Sequence, residues 1–92
     1  MTTITKSAQS FRILSDPTRL KILVELFRHR DGMCVGDIAG SVGITHSAAS
    51  HQLAKLEAND VVSCERDGKN MCYKVCKTAL TQKLKKAINA LS

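Results

Sequence analysis

The stretch Val35-Gly36-Asp37-Ile38-Ala39-Gly40-Ser41-Val42-Gly43-Ile44-Thr45-His46-Ser47-Ala48-Ala49-Ser50-His51-Gln52-Leu53-Ala54-Lys55-Leu56-Glu57-Ala58 decides the fold. Ile38, Ala39 and Val42 give a short helix over residues 36–42 one apolar side. Gly43 permits the left-handed turn that ends it. Thr45 can then cap a second helix, His46 to Ala58, whose buried side holds Ala49, Leu53 and Leu56. His46, Ser47, Ser50, His51 and Lys55 fall on the other side. A helix fits the major groove of DNA, and short polar side chains let it approach closely. The amide groups at its N-terminus attract phosphate as well.

Working upstream, Ile4, Ala8, Phe11 and Leu14 stand at helical spacing. Asp16 can cap the next helix, and Pro17 suits its first position, where the missing N–H costs nothing. That helix is expected from Pro17 to about Arg30, with Leu20, Leu23, Val24 and Phe27 on one face and Ile22 and Leu26 beside it. Arg28, His29 and Arg30 suit the negative end of the helix dipole, and Asp31-Gly32 stops the helix.

Downstream of Asn59-Asp60 the hydrophobic period changes from 3.6 to 2. Residues 61–66 and 70–76 read as strands, joined through Asp67-Gly68, a hairpin signal. A last helix runs from about Ala79 to Leu91, with Thr78 as cap and Leu80, Leu84, Ile88 and Leu91 as apolar stripe. The expected architecture is mainly α with one β-hairpin, in the order α-α-α-α-β-β-α, as a single domain of 92 residues. This is a winged helix-turn-helix. Arg66, Lys69 and Asn70 at the hairpin tip can reach the neighbouring minor groove or the DNA backbone.

Composition agrees. The net charge is +6 and the pI about 9.4, which favours a polyanionic partner such as double-stranded DNA. The only aromatic residues are Phe11, Phe27 and Tyr73, so the core must be built from Leu, Ile, Val and Ala. A chain this short buries roughly two-thirds of its unfolded surface, so a partner subunit adds stability. The sequence has no signal-peptide pattern and no membrane-length apolar run, and the expected compartment is the cytoplasm, where thiols stay reduced. An enzyme is not expected, because there is no carboxylate-bearing catalytic motif and no glycine-rich phosphate loop.

Several stretches together resemble one family. They are Leu14-Ser15-Asp16-Pro17-Thr18-Arg19-Leu20-Lys21-Ile22-Leu23, then Val35-Gly36-Asp37-Ile38-Ala39, Ser47-Ala48-Ala49-Ser50-His51-Gln52-Leu53-Ala54-Lys55-Leu56, the wing Arg66-Asp67-Gly68-Lys69, and Tyr73. They look like the signature of the ArsR/SmtB family of metal-responsive transcriptional repressors, across about residues 7–91. The resemblance implies a homodimer joined through the first and last helices. That suits the stripes Ile4/Ala8/Phe11 and Leu80/Leu84/Ile88/Leu91, which one small domain could not easily cover. It also implies a palindromic operator, with two reading helices in major grooves roughly 34 Å apart. The DNA contacts would come from Thr45, His46, Ser47, Ser50, His51 and Lys55, with Arg66, Lys69 and Asn70 on the wing. An inducer or thiol oxidation would release the DNA.

The family's sensing sites differ from member to member. One class uses Cys-Val-Cys at the start of the third helix; here the segment is Cys34-Val35-Gly36, with glycine in place of the second thiol. A second class uses Asp, His and Glu on the last helix, and residues 78–92 contain none of these. A third senses oxidants or reactive sulfur through one cysteine in the second helix and one in the last, and neither helix has one here. The Val35-Gly36-Asp37 sequence is nonetheless closer to this redox branch. No cofactor is required.

Cys34, Cys64, Cys72 and Cys76 are therefore the candidate sensors, for thiol oxidation, reactive sulfur, or a thiophilic metal or metalloid inducer. Cys72 and Cys76 lie about 13 Å apart on an extended strand. A two-residue Asp67-Gly68 loop places Cys64 opposite Met71, whereas a three-residue loop places it opposite Cys72 and makes that pair a candidate disulfide. Met71, Tyr73 and Val75 are expected to face the core, and Cys72, Lys74 and Cys76 to face outward. Two alternatives stand beside the thiol-responsive repressor: a repressor without small-molecule input, and a protein-interaction module of the same fold.

Overall fold

The computed structural model describes residues 8 and 11–91, with the backbone alone at Leu91. Helix α1 is seen at residue 8 and over residues 11–15. It gives Ile13 to the core, while Ala8 and Phe11 face outward. Ile4 and the side chain of Leu91 lie outside the described residues.

Helix α2 (Pro17–Arg28) starts where the cap requires it. The Asp16 carboxylate accepts from the backbone N–H groups of Thr18 (2.9 Å) and Arg19 (3.1 Å), two donors that a helix start leaves without partners. Its core-facing residues are Ile22, Leu23 and Leu26. Leu20, Val24 and Phe27 are only half-buried, so the inward face is turned relative to the one the sequence pattern suggested. The helix also ends two residues earlier than expected. His29 is its C-cap and donates its backbone N–H to the Glu25 and Leu26 carbonyls.

A short strand that the sequence pattern did not reveal follows, β1 (Met33–Cys34). Two residues are too few to show alternation. What places them is Gly32, with φ +105°, where an added Cβ would sit 3.1 Å from the Tyr73 carbonyl oxygen. Glycine alone lets the chain pass this close.

Helix α3 (Val35–Val42) then runs to Gly43, whose φ of +80° provides the left-handed stop. Helix α4 (His46–Ala58) is capped by Thr45, whose hydroxyl oxygen accepts from the Ala48 N–H at 3.0 Å. Ala49, Leu53 and Leu56 are fully buried, as the spacing required. Asp60, at φ 59°, closes the helix. The Val61 N–H returns to the Leu56 carbonyl and the Asp60 N–H to that of Glu57, a Schellman arrangement.

Strands β2 (Val62–Asp67) and β3 (Asn70–Val75) form the wing, and the antiparallel sheet has the order β1-β3-β2. The Asp67↔Asn70 pairing makes Gly68-Lys69 the two-residue turn, one position later than Asp67-Gly68. Gly68 carries a φ of +63°, as the first central residue of a II′ turn does. This shift overturns both register expectations, because Cys64 pairs with Tyr73, not with Met71 or Cys72. Met71 is 38% exposed instead of core-facing, since it sits beyond the part of the wing that the helices cover.

Helix α5 (Ala79–Leu91) begins with a reciprocal cap. The Thr81 N–H donates to the Thr78 hydroxyl, and the Thr78 N–H donates to the Thr81 hydroxyl. Leu84 joins Ile13, Tyr73 and the α2–α4 residues in one buried cluster. Among the described residues no helix is long and apolar enough to cross a membrane.

Candidate nucleic-acid interface

The helix-turn-helix is set by packing. The buried side of α4 is locked to α2 and α3 by Leu53 and Leu56, so the opposite side must face outward. Thr45, His46, Ser47, His51 and Lys55 are exposed and Ser50 is half-buried. They form one polar surface with the α4 N-terminus at one end. Thr45 serves as cap, so its oxygen is already an acceptor and its hydroxyl proton is what it can offer a phosphate. Arg66, Lys69 and Asn70 are exposed at the wing tip, and among the described residues neither cation is ion-paired.

Behind α4 lies a polar contact that the sequence pattern missed. Gln52 Nε2 donates to Asp16 Oδ2 at 3.4 Å, and an Arg19 guanidinium nitrogen lies 3.5 Å from the same oxygen. The Arg19 backbone N–H chiefly, with the Thr18 N–H and the Arg19 and Gln52 side chains, holds the Asp16 carboxyl below its ordinary 3.8 against the opposing effect of burial. One carboxylate thus starts α2 and holds the back of α4. Asp16 was visible as a cap. Gln52 lies 36 residues away, and no local pattern announces the contact.

The cysteines are arranged differently from either expected pairing. Cys34 on β1 faces Cys72 on β3, and the two form a disulfide with Cα atoms 3.8 Å apart. Cys64–Cys72 is therefore not a pair, and Cys72 is not a free outward thiol. Cys34 is also the N-cap residue of α3, so the bond joins the first residue of the helix-turn-helix to the central strand of the wing. Cys64 and Cys76 are free and half-buried. Cys64 lies beside Tyr73, whose hydroxyl is pushed up to about 12 by burial first and by the neighbouring thiol second.

Of the residues expected at a subunit interface, Ala8 is exposed and Phe11 is 71% exposed. Leu80 and Ile88 are partly buried against the core. Leu84 does not belong with them, because it is 2% exposed and points into its own subunit's core.

Residues 16–63 match the family described as bacterial regulatory protein, arsR family. The chain is 38% identical over 66 residues to a transcriptional repressor SmtB homolog of Synechocystis, covering 72% of this chain and 48% of that one. It is 43% identical over 63 residues to the cadmium resistance transcriptional regulatory protein CadC of Listeria innocua, covering 68% and 52%. The chain thus spans about half the length of these two relatives. Among solved structures, the antimony-specific transcriptional repressor AntR superposes with a TM-score of 0.83 at 28% identity, covering 96% of this chain and 78% of that one. These relatives are transcriptional regulators and not enzymes.

Proposed function

The chain belongs to the ArsR family of bacterial regulatory proteins, and on that premise we propose that it is a homodimeric, cytoplasmic transcriptional repressor that binds a palindromic operator through α4 and the wing and releases it when Cys34 and Cys72 are oxidised. The DNA half rests on the exposed polar side of α4 and the unpaired cations of the wing tip. The dimer half rests on Phe11, a large apolar residue that α1 presents to solvent next to Ala8.

A single observation carries the sensing half: the Cys34–Cys72 bond ties the α3 start to β3. Two thiols and one hydrogen peroxide give the disulfide and two waters; the sulfurs are oxidised and the peroxide oxygen is reduced. In the dithiol form β1 and β3 are joined at these positions by backbone pairing alone, and the wing can shift slightly against the helix-turn-helix as both meet the duplex. The bond fixes one strand against the other, so the tip no longer follows the groove while α4 sits in it.

The test is anisotropy of labelled DNA from upstream of the protein's own gene. Salt-dependent binding is expected under reductant. Peroxide should weaken it roughly tenfold or more, as a coupling of about 1.4 kcal/mol requires, and dithiothreitol should restore it. Cys34→Ser and Cys72→Ser should bind and ignore peroxide, whereas Cys64→Ser should still respond. Release that persists in the Cys34→Ser/Cys72→Ser double variant rules the switch out. No binding at low salt favours a protein-binding module instead.

Among the described residues no three His, Cys, Asp or Glu side chains come together, and residues 1–7, 9, 10 and 92 carry none of these types. A thiophilic metalloid arriving as signal is the second reading, favoured by the likeness to the antimony-specific repressor. Reduced Cys34 and Cys72 offer it two sulfurs. Antimonite that releases the wild-type protein under argon, and not the Cys34→Ser variant, would select it.

A further inference from the structure

The wing root holds a feature that the reading helix and the disulfide do not use. A cavity of about 570 Å³ opens where the end of α2, the end of β3 and one side of α5 meet. This lies within the size range of small-molecule sites. Its apolar lining comes from Phe27 and Val75, with the Cys76 sulfur beside them. Arg30, Lys77, Lys85 and Lys86 also line it, and among the described residues no carboxylate does. Among the described residues none of these four cations is ion-paired.

Four like charges around one cavity repel each other, and a solvated surface would spread them out. Lys85 and Lys86 come from α5, Lys77 from the chain just after β3, and Arg30 from the turn that follows α2, so the fold gathers them from three places. A polyvalent anion offsets their repulsion, and Phe27 and Val75 receive an apolar body. DNA is the obvious polyanion, but the position disfavours it. Val75 lies six positions beyond Lys69 at the wing tip, roughly 20 Å along the strand, so the cavity stands well back from the tip.

We propose that this cavity is a binding site for a small organic anion with two or more negative charges and an apolar portion, such as an aryl phosphate or an aromatic polycarboxylate. The site goes beyond the thiol switch and does not depend on it. A ligand there touches α2, β3 and α5 together, so its occupancy is an input separate from Cys34 and Cys72.

Cys76 supplies the readout, and Cys64 in the same molecule is the reference, since Cys64 does not line the cavity. The intact protein is alkylated with neutral iodoacetamide, and each cysteine's rate is followed by peptide mass spectrometry. Phenyl phosphate is the probe. At about four times its Kd it should slow Cys76 roughly fivefold, because only the unliganded fraction reacts, and leave Cys64 unchanged. Inorganic phosphate and benzyl alcohol, each carrying half the chemistry, should protect less. Lys85→Ala/Lys86→Ala, checked for an unchanged circular dichroism spectrum, should lose the protection while Cys76 still reacts. The proposal is overturned if phenyl phosphate leaves the Cys76 rate unchanged, or if the lysine variant is protected equally. It is overturned too if Cys76 is unreactive from the outset, as when a second copy covers the cavity. Protection by a short DNA duplex equal to that by phenyl phosphate reassigns the cations to the DNA backbone.

Discussion

The reading helix and the wing both present polar groups to solvent, yet they are fastened in different ways. Helix α4 is held by packing: Ala49, Leu53 and Leu56 are fully buried, and one polar contact from Gln52 to Asp16 backs them. The wing is held by Val62 and Tyr73 at its root and by a covalent bond from Cys72 to Cys34, while its tip is free. Packing cannot be undone without unfolding the domain. A disulfide can be opened by an electron donor with the core left in place. The difference gives α4 a rigid mounting and leaves the wing one fastening that can be opened chemically.

The strongest way to break this comparison is to loosen the helix. Leu53→Ala removes a fully buried side chain from the cluster shared by α2, α3 and α4. It should cost about 2–5 kcal/mol, on the order of 10–20 °C in Tm for a domain of this size. Thermal unfolding checks it. Amide exchange should then rise across the whole domain, not in α4 alone. Exchange confined to α4 would mean that the helix is fastened separately, and the contrast with the wing would fail.

Opening the wing's bond should have a smaller and more local effect. The bond closes a loop over a separation of 38 residues. In the chain-entropy account such a loop is worth up to about 4 kcal/mol, and measured values run about 2–4. Dithiothreitol, or Cys72→Ser, should therefore lower Tm by roughly 10 °C while exchange accelerates in β1 and β3 and stays unchanged in α4. Acceleration of equal size in α4 would show that the two regions are one mechanical unit.

Neutralising the tip should affect binding and leave the fold alone. Arg66→Ala and Lys69→Ala remove exposed cations that among the described residues have no ion-pair partner. Tm should stay within about 2 °C of the wild type. The slope of log K against log salt should shrink by about 0.9 for each phosphate that a subunit's wing no longer neutralises. A salt slope that does not change would place the wing tip off the DNA.

These contrasts also explain what could be read from the amino-acid order. The helix-turn-helix was legible because its determinants are local. Asp16-Pro17, Gly43 and Thr45 act within four residues of where they stand, and the Ala49/Leu53/Leu56 spacing repeats with the helix. The wing was legible as a hairpin but not in register, since Asp67-Gly68 and Gly68-Lys69 are both acceptable two-residue turns. Moving that turn by one position shifts the partner of Cys64 by two residues, from Met71 to Tyr73. Strand β1 was hidden because its pairing with β3 joins residues about 40 apart and only two residues take part. The cysteine pair depends on that strand, so it was hidden too. The same holds for Gln52 and for the cavity cations, which come from three separate stretches.

The smallest expected effect concerns the polar contact behind the helix and is read through pH. The folded chain holds the Asp16 carboxyl below its ordinary 3.8, chiefly through the Arg19 backbone N–H. A group with a depressed folded value contributes stability that is present above its unfolded value and lost as pH falls through the folded one. The wild type should therefore lose an increment of Tm below about pH 4. Asp16→Asn keeps an acceptor for the α2 start but removes the charge beside Arg19. Near pH 7 its Tm should lie below that of the wild type, and the gap should be narrower at pH 3. If the gap is the same at both pH values, the contribution of Asp16 is its shape as a cap and not its charge. The Gln52 contact would then be incidental, and α4 would be held by its apolar side alone.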